Sequence, residues 1–167
     1  MSTRFLAMVA AFTSLGVILA FLFHLLGPQV GRIFLPMHLP VFLAGFLLGW
    51  SGGLLVGLFS PLLGALLTGI PPFIPTAVLM VPEMATYGAV CGFLGKDMGV
   101  TIRLTLPLAM LAGRVILGLM VALFGAFLGI EIPILIYIKG MVLIGLPGLV
   151  SQLVLVPLLV KRFPWKL

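Results

Sequence analysis

Six long apolar runs, separated by short connections rich in Gly and Pro, constrain this chain more than any other feature of its sequence. A helix needs about 20 consecutive apolar residues to cross the hydrocarbon core of a bilayer. The sequence therefore predicts an all-α integral membrane protein with six transmembrane helices in a single domain, residues 1–167, and no separate soluble domain. The predicted helices cover approximately Phe5–Leu26, Phe34–Trp50, Leu54–Ile70, Thr76–Gly95, Ile102–Gly129 and Ile134–Val160.

The composition excludes the other broad classes of protein. Hydrophobic residues make up 63% of the chain and charged residues 7%, whereas soluble domains are roughly 45–50% apolar and about 25% charged. A water-soluble globule is therefore excluded. Intrinsic disorder is excluded as well, because disordered segments are polar or highly charged.

The positions of the charges predict the orientation of the chain in the membrane. Nine Lys and Arg residues outnumber three Asp and Glu residues. With a cytoplasmic N-terminus, Arg32 would be the one basic residue on the outer side, accompanied by Glu131, and Trp50 and Trp165 would anchor the inner boundary. The inner side would carry Arg4, Lys96, Arg103, Lys161, Arg162 and Lys166. Such an asymmetry predicts that both termini are cytoplasmic. Anionic lipid of the inner leaflet is then a sufficient partner for the excess of basic residues, and no nucleic-acid partner is expected.

Four ionisable residues lie where a membrane helix should carry none. Glu83, Arg114 and Lys139 fall inside predicted helices, and His38 lies near the outer start of the second one. A charge in hydrocarbon costs several kcal/mol, so such residues usually face a polar cavity or a partner. One acid cannot neutralise two bases, and the positive excess would suit a ligand with a carboxylate. The alternative is a Glu83–Arg114 or Glu83–Lys139 ion pair that only holds helices together.

The outer connections differ in character from the inner ones. The segments 27–40 and 69–75 are apolar and rich in proline, which makes them stiff enough to lie across a cavity. His38, between Pro36 and Pro40, either hydrogen-bonds a ligand or caps the backbone. His24, at the outer end of the first helix, is interpreted as an interfacial residue.

The motifs of catalysis are missing from the sequence. The segment around Lys96 and Asp97 lacks the first glycine and the Ser or Thr of a Walker A loop, and no HExxH, CxxC or GxSxG occurs. We therefore expect no enzymatic activity, no cofactor and no metal site.

Several apolar, glycine-rich motifs carry a resemblance to a known family. They are Ala7-xxx-Ala11, the stretch Phe34–Val41 followed by Leu43-Ala44-Gly45, Gly57–Leu63 with Leu67–Pro72, and Glu83–Gly88. With six helices in a chain of this length, the protein resembles the S components of energy-coupling factor (ECF) vitamin transporters, and their folate/pantothenate/cobalamin-type branch in particular. The resemblance implies a subunit of the prokaryotic plasma membrane that binds a vitamin with high affinity from outside. Its partners would be a transmembrane coupling (T) protein and two ABC ATPases.

The resemblance also assigns residues. It implies that Ala7 and Ala11 dock the coupling protein, and that the outer loops and the fourth to sixth helices line the pocket. Pantothenate is the favoured substrate, because its carboxylate suits Arg114 or Lys139 and its hydroxyl and amide groups suit Glu83 and His38. The predicted pocket offers three aromatic rings, too few to favour folate, while cobalamin, a pyridoxine-type vitamin or a thiamin precursor stay open. These rings are Phe73, Tyr87 and Tyr137.

Two other functions remain compatible with the residues themselves. An autonomous carrier or channel could use Glu83 as a proton site. A membrane scaffold without transport activity would hold its buried charges for structural reasons alone.

Overall fold

The computed structural model describes residues 2–128 and 133–162, without the side chains at 128, 134 and 138. Over these residues the chain is helical almost throughout, with no strand. The helices are α1 (Thr3–Leu25), α2 (Pro28–Phe34), α3 (His38–Leu48), α4 (Trp50–Thr68), α5 (Val78–Val90), α6 (Ile102–Phe124) and α7 (Ile134–Arg162). Glu131, Trp165 and Lys166, to which the sequence assigned outer or inner positions, lie outside the described residues.

Within the described part of the chain, six segments are long and apolar enough to cross a membrane, which agrees with the predicted number of spans. They are Thr3–Leu25, Pro28–Leu48, Trp50–Thr68, Phe73–Asp97, Ile102–Phe124 and Leu135–Arg162. The fourth span extends α5 at both ends, by a wide irregular turn over Phe73–Ala77 and a π-helical turn over Cys91–Asp97. We call the end of the bundle with the α1–α2 and α4–α5 connections the outer end, after the predicted orientation, and the opposite end the inner end.

The boundaries around the second span differ from those predicted. The predicted loop after α1 contains α2, which begins at Pro28 because proline suits the first position of a helix. The predicted turn at residues 51–53 is wrong, since the chain breaks at Gly49 and these residues are already helical. Gly49 has a φ of 87°, which glycine adopts without a steric cost.

Two side chains hold the break at Gly49 from the inner end. Lys96 Nζ donates a hydrogen bond of 2.6 Å to the Leu47 carbonyl at the end of α3. Asp97 Oδ2 accepts one of 3.3 Å from the Trp50 amide at the start of α4. A cation thus meets the negative end of one helix and an anion meets the positive end of the next, as the helix dipoles favour.

Helix α3 forms the centre of the bundle. Its buried residues are His38, Pro40, Val41, Phe42, Leu43, Ala44, Gly45, Phe46 and Leu48. The faces of α1, α6 and α7 that point away from the bundle instead expose many large apolar side chains, such as Leu22, Leu111 and Leu143. In a bilayer those surfaces meet lipid, so the helices need close packing rather than hydrophobicity to associate.

Glycines bring α4 and α5 into backbone contact. A Cβ atom at Gly53 would overlap the Gly88 carbonyl, and one at Gly88 would overlap the Gly53 carbonyl. Gly57 faces the Met84 carbonyl in the same manner. This contact fixes the rotation of α5 and therefore the direction in which its one acidic side chain points.

Gly88→Ala is expected to destabilise the protein by about 1–3 kcal/mol, because the added methyl group meets backbone that cannot move aside. The matched control is Gly140→Ala in α7, where an added Cβ would meet nothing within 4 Å. That variant should keep or raise stability by up to about 1 kcal/mol, since alanine is the better helix former. Thermal unfolding in detergent, followed by tryptophan fluorescence, measures both. Equal melting temperatures for the two variants would contradict the close contact.

Candidate functional site

A cavity of about 490 Å³ opens at the outer end of the bundle. This volume lies within the range of roughly 300–1,000 Å³ that is typical of small-molecule sites. Its rim is formed by the outer connections and α2, and its walls by α1, α3, α5, α6 and α7. Five prolines line it, as the stiff outer segments predicted: Pro28, Pro36, Pro71, Pro72 and Pro75.

A buried ion pair lies in the cavity wall. Arg114 Nη1 is 2.8 Å from Glu83 Oε1, and the two side chains are 11% and 1% exposed. The Tyr87 hydroxyl donates a hydrogen bond of 2.6 Å to the same carboxylate oxygen. Of the two ion pairs that the sequence left open, the structure contains the one with Arg114.

The helical repeat places these groups. Glu83 and Tyr87 are four residues apart on α5, so the hydroxyl reaches the carboxylate on the next turn. The Tyr87 ring packs against Phe42 and His38, with ring centroids 5.2 and 5.6 Å away. It also packs against Gly113, where any Cβ would overlap the ring. Because Gly113, the neighbour of Arg114, has no side chain, α6 approaches Tyr87 closely enough for the ion pair to form.

Two buried polar atoms of the cavity lack a partner among the described residues. They are His38 Nδ1 and Arg114 Nε, and the His38 side chain is only 3% exposed. Buried polar groups are nearly always hydrogen-bonded. An imidazole nitrogen and a guanidinium N–H thus have hydrogen-bonding capacity that the described residues leave unused.

Comparison with known protein families identifies the group to which the chain belongs. The model of a family described as "ECF transporter, substrate-specific component" matches residues 4–164. The chain belongs to this family. No curated protein and no solved structure matches the chain. The predicted family is thereby confirmed, while the vitamin branch stays a prediction.

Membership in this family indicates what kind of protein the chain is. As an ECF substrate-specific component, it is a multi-pass membrane protein and a transporter subunit. This subunit binds a small molecule and associates with T and ATPase modules. The family is one of transport proteins and not of enzymes.

The structure of this ECF component brings together four of the seven predicted ligand-binding residues. His38, Glu83, Arg114 and Tyr137 line the cavity. Tyr87 is fully buried behind Glu83, from where it holds the carboxylate.

Phe73 and Lys139 are not brought to the cavity. Phe73 lies 46% exposed in the α4–α5 connection. Lys139 is exposed on α7, two residues beyond Tyr137 and thus about 200° around the helix from the wall. The expected cluster of one acid with two bases is therefore not observed, because the second base projects from another face of its helix.

Several cavity residues are not among the predicted binding residues. Arg32 is predicted only as the one basic residue of the outer side, and His24 as an interfacial residue, yet both line the mouth. Met80 lies three residues before Glu83, and Met141 four residues after Tyr137. The i, i+3 and i+4 spacing from the predicted site residues is the signal that could have found the two methionines.

Ala7 and Ala11 are both exposed on α1. They lie toward the inner end and outside the cavity lining. The ECF component therefore presents two separate features, a cavity at the outer end and a surface of small side chains at the inner half of its first helix.

Arg114→Gln is expected to destabilise the protein by about 3–5 kcal/mol, since it leaves the Glu83 carboxylate buried without its partner. Glu83→Gln should cost a similar amount. The double variant should regain most of the loss, because two neutral amides replace two opposite charges. Unfolding in detergent measures the three variants as a double-mutant cycle. Additive losses in the double variant would contradict a direct energetic coupling.

Proposed function

We propose that this chain captures a small vitamin-type molecule from the outer side of the prokaryotic plasma membrane and passes it to an ECF complex with a T protein and two ABC ATPases. The observation that carries this proposal is the outer cavity, which is large enough for such a molecule and contains buried polar atoms without partners among the described residues. The family of substrate-specific components supports it independently.

Pantothenate is the substrate that we propose to test first. It combines one carboxylate with hydroxyl and amide groups, and the cavity lining offers Arg32, Arg114, His38 and Glu83 to such groups. Tyr137 contributes the one phenol ring of the described lining, so a ligand that depends on stacking between several aromatic rings fits less well.

Identification of co-purified small molecules is the experiment that tests the function. The protein would be purified in mild detergent and its bound molecules identified by mass spectrometry. Titration of ligand-free protein with a panel of water-soluble vitamins would follow, by isothermal calorimetry. We expect one vitamin to bind with a submicromolar Kd, which corresponds to more than about 8 kcal/mol. Binding of none of the panel would contradict the proposal.

Met80→Trp should weaken ligand binding at least about tenfold, or 1.4 kcal/mol, because the larger side chain enters the cavity one turn from Glu83. Val78→Trp is the matched control, since Val78 is 38% exposed on the same helix and does not line the cavity. Calorimetric titration with the identified vitamin measures both. Equal affinities for the two variants would place the ligand elsewhere.

We further propose that Ala7 and Ala11 form the surface on which the T protein docks. Their support is exposure on one face of α1 at a spacing of four residues, which allows a partner helix to approach closely. This docking surface lies apart from the cavity, so docking and ligand binding are separable by mutation.

Replacing both alanines by tryptophan should abolish co-purification with the T protein and the ATPases, while the affinity for the vitamin stays unchanged. Leu104→Trp with Leu108→Trp is the control, because these side chains are 62% and 49% exposed in the inner half of α6 with the same spacing. The control pair should leave assembly intact. Assembly that survives the change in α1 would remove these alanines from docking.

A further inference from the structure

The cavity separates its charges by depth. Its described lining contains three charged side chains, Glu83, Arg114 and Arg32. Glu83 and Arg114 neutralise each other across 2.8 Å and are buried. Arg32 is exposed in the last turn of α2, at the mouth. The deep part of the cavity is therefore neutral overall, and the unbalanced positive charge of the described lining lies at its entrance.

A charged group is poorly suited to the deep part. A ligand carboxylate beside Arg114 would have to share the guanidinium with Glu83, which places two carboxylates together in a site of low dielectric constant. A ligand cation beside Glu83 would meet Arg114 in the same way. Either charge would also lose its hydration without a partner of its own.

An uncharged polar group meets neither obstacle. Arg114 Nε is a donor, and His38 Nδ1 donates or accepts according to its tautomer. An amide or hydroxyl that reaches either atom can hydrogen-bond to it and leave the ion pair intact. The orphaned polar atoms then gain the hydrogen bonds that buried groups require.

The mouth suits an anion. A guanidinium binds a carboxylate through two parallel hydrogen bonds. At an exposed position such as that of Arg32, the bound carboxylate keeps part of its hydration, so its desolvation costs little.

We propose that the cavity orients its substrate, with an uncharged amide or hydroxyl group buried against His38 and Arg114 and an acidic group at the mouth beside Arg32. This inference rests on the proposed function, since it concerns the same cavity. For pantothenate it places the dihydroxy end inside and the carboxylate at the entrance. Arg32 then determines the preference for acids over their neutral analogues.

Pairs of an acid and its neutral analogue test this orientation. The probes are pantothenate with pantothenol, biotin with biotinamide and nicotinate with nicotinamide, titrated into the purified full chain by calorimetry. For a pair that binds, Arg32→Gln should weaken the acid about tenfold and leave the neutral analogue unchanged. Arg103→Gln is the matched control, because Arg103 is exposed at the inner start of α6, and it should change neither affinity.

Salt provides a second readout that needs no variant. An exposed ion pair at the mouth is screened by salt, whereas a buried one is screened much less. The preference of the wild type for the acid should therefore shrink several-fold between 0.05 and 0.5 M NaCl, on the order expected from the shortening of the Debye length.

The outcomes separate this inference from the function on which it rests. An acid preference that persists in Arg32→Gln, or that salt leaves unchanged, would place the carboxylate in the deep part and overturn the orientation alone. Equal weakening of acid and neutral analogue would overturn it as well, because Arg32 would not distinguish them. Failure of the wild type to bind either member of any pair or any vitamin of the panel would overturn the proposed function, and the orientation with it.

Discussion

The ion pair between Glu83 and Arg114 is the interaction on which the outer half of the protein depends. Each charge alone would cost several kcal/mol in a bundle surrounded by lipid. At 2.8 Å, and with the Tyr87 hydroxyl on the same carboxylate oxygen, the two groups neutralise each other's charge and join α5 to α6. The close packing of Gly113 on Tyr87 makes this distance attainable.

Because these charges cancel, the pair also decides what the cavity can accept. A neutral site deep in the cavity favours a neutral part of a ligand, and the stiff outer connections with their prolines shape the walls above it. The family of ECF substrate-specific components gives this cavity its functional context. The proposed capture at the outer end and the proposed assembly through α1 use different surfaces, so one small chain could serve both tasks.

The spans were predictable because the requirement for about 20 apolar residues acts on each segment separately. The turn between the second and third spans was not. In the sequence, Gly49, Gly52 and Gly53 are equally suitable turn residues. In the structure, Gly49 adopts a positive φ, whereas Gly52 and Gly53 pack against neighbouring residues inside the bundle. That choice depends on α5, whose backbone needs the space above Gly53.

Six membrane spans, and the need of Glu83, Arg114 and His38 for partners, follow from the amino-acid sequence alone, because the cost of a buried polar group is local to the residue. Which base pairs with Glu83 depends on how the helices pack. Lys139 and Arg114 carry the same positive charge, and their helical phase relative to α5 separates them. That phase follows from glycine contacts between helices far apart in the chain. The same packing brought Arg32 to the mouth, because the position of α2 over the cavity is set by its neighbours rather than by its own residues.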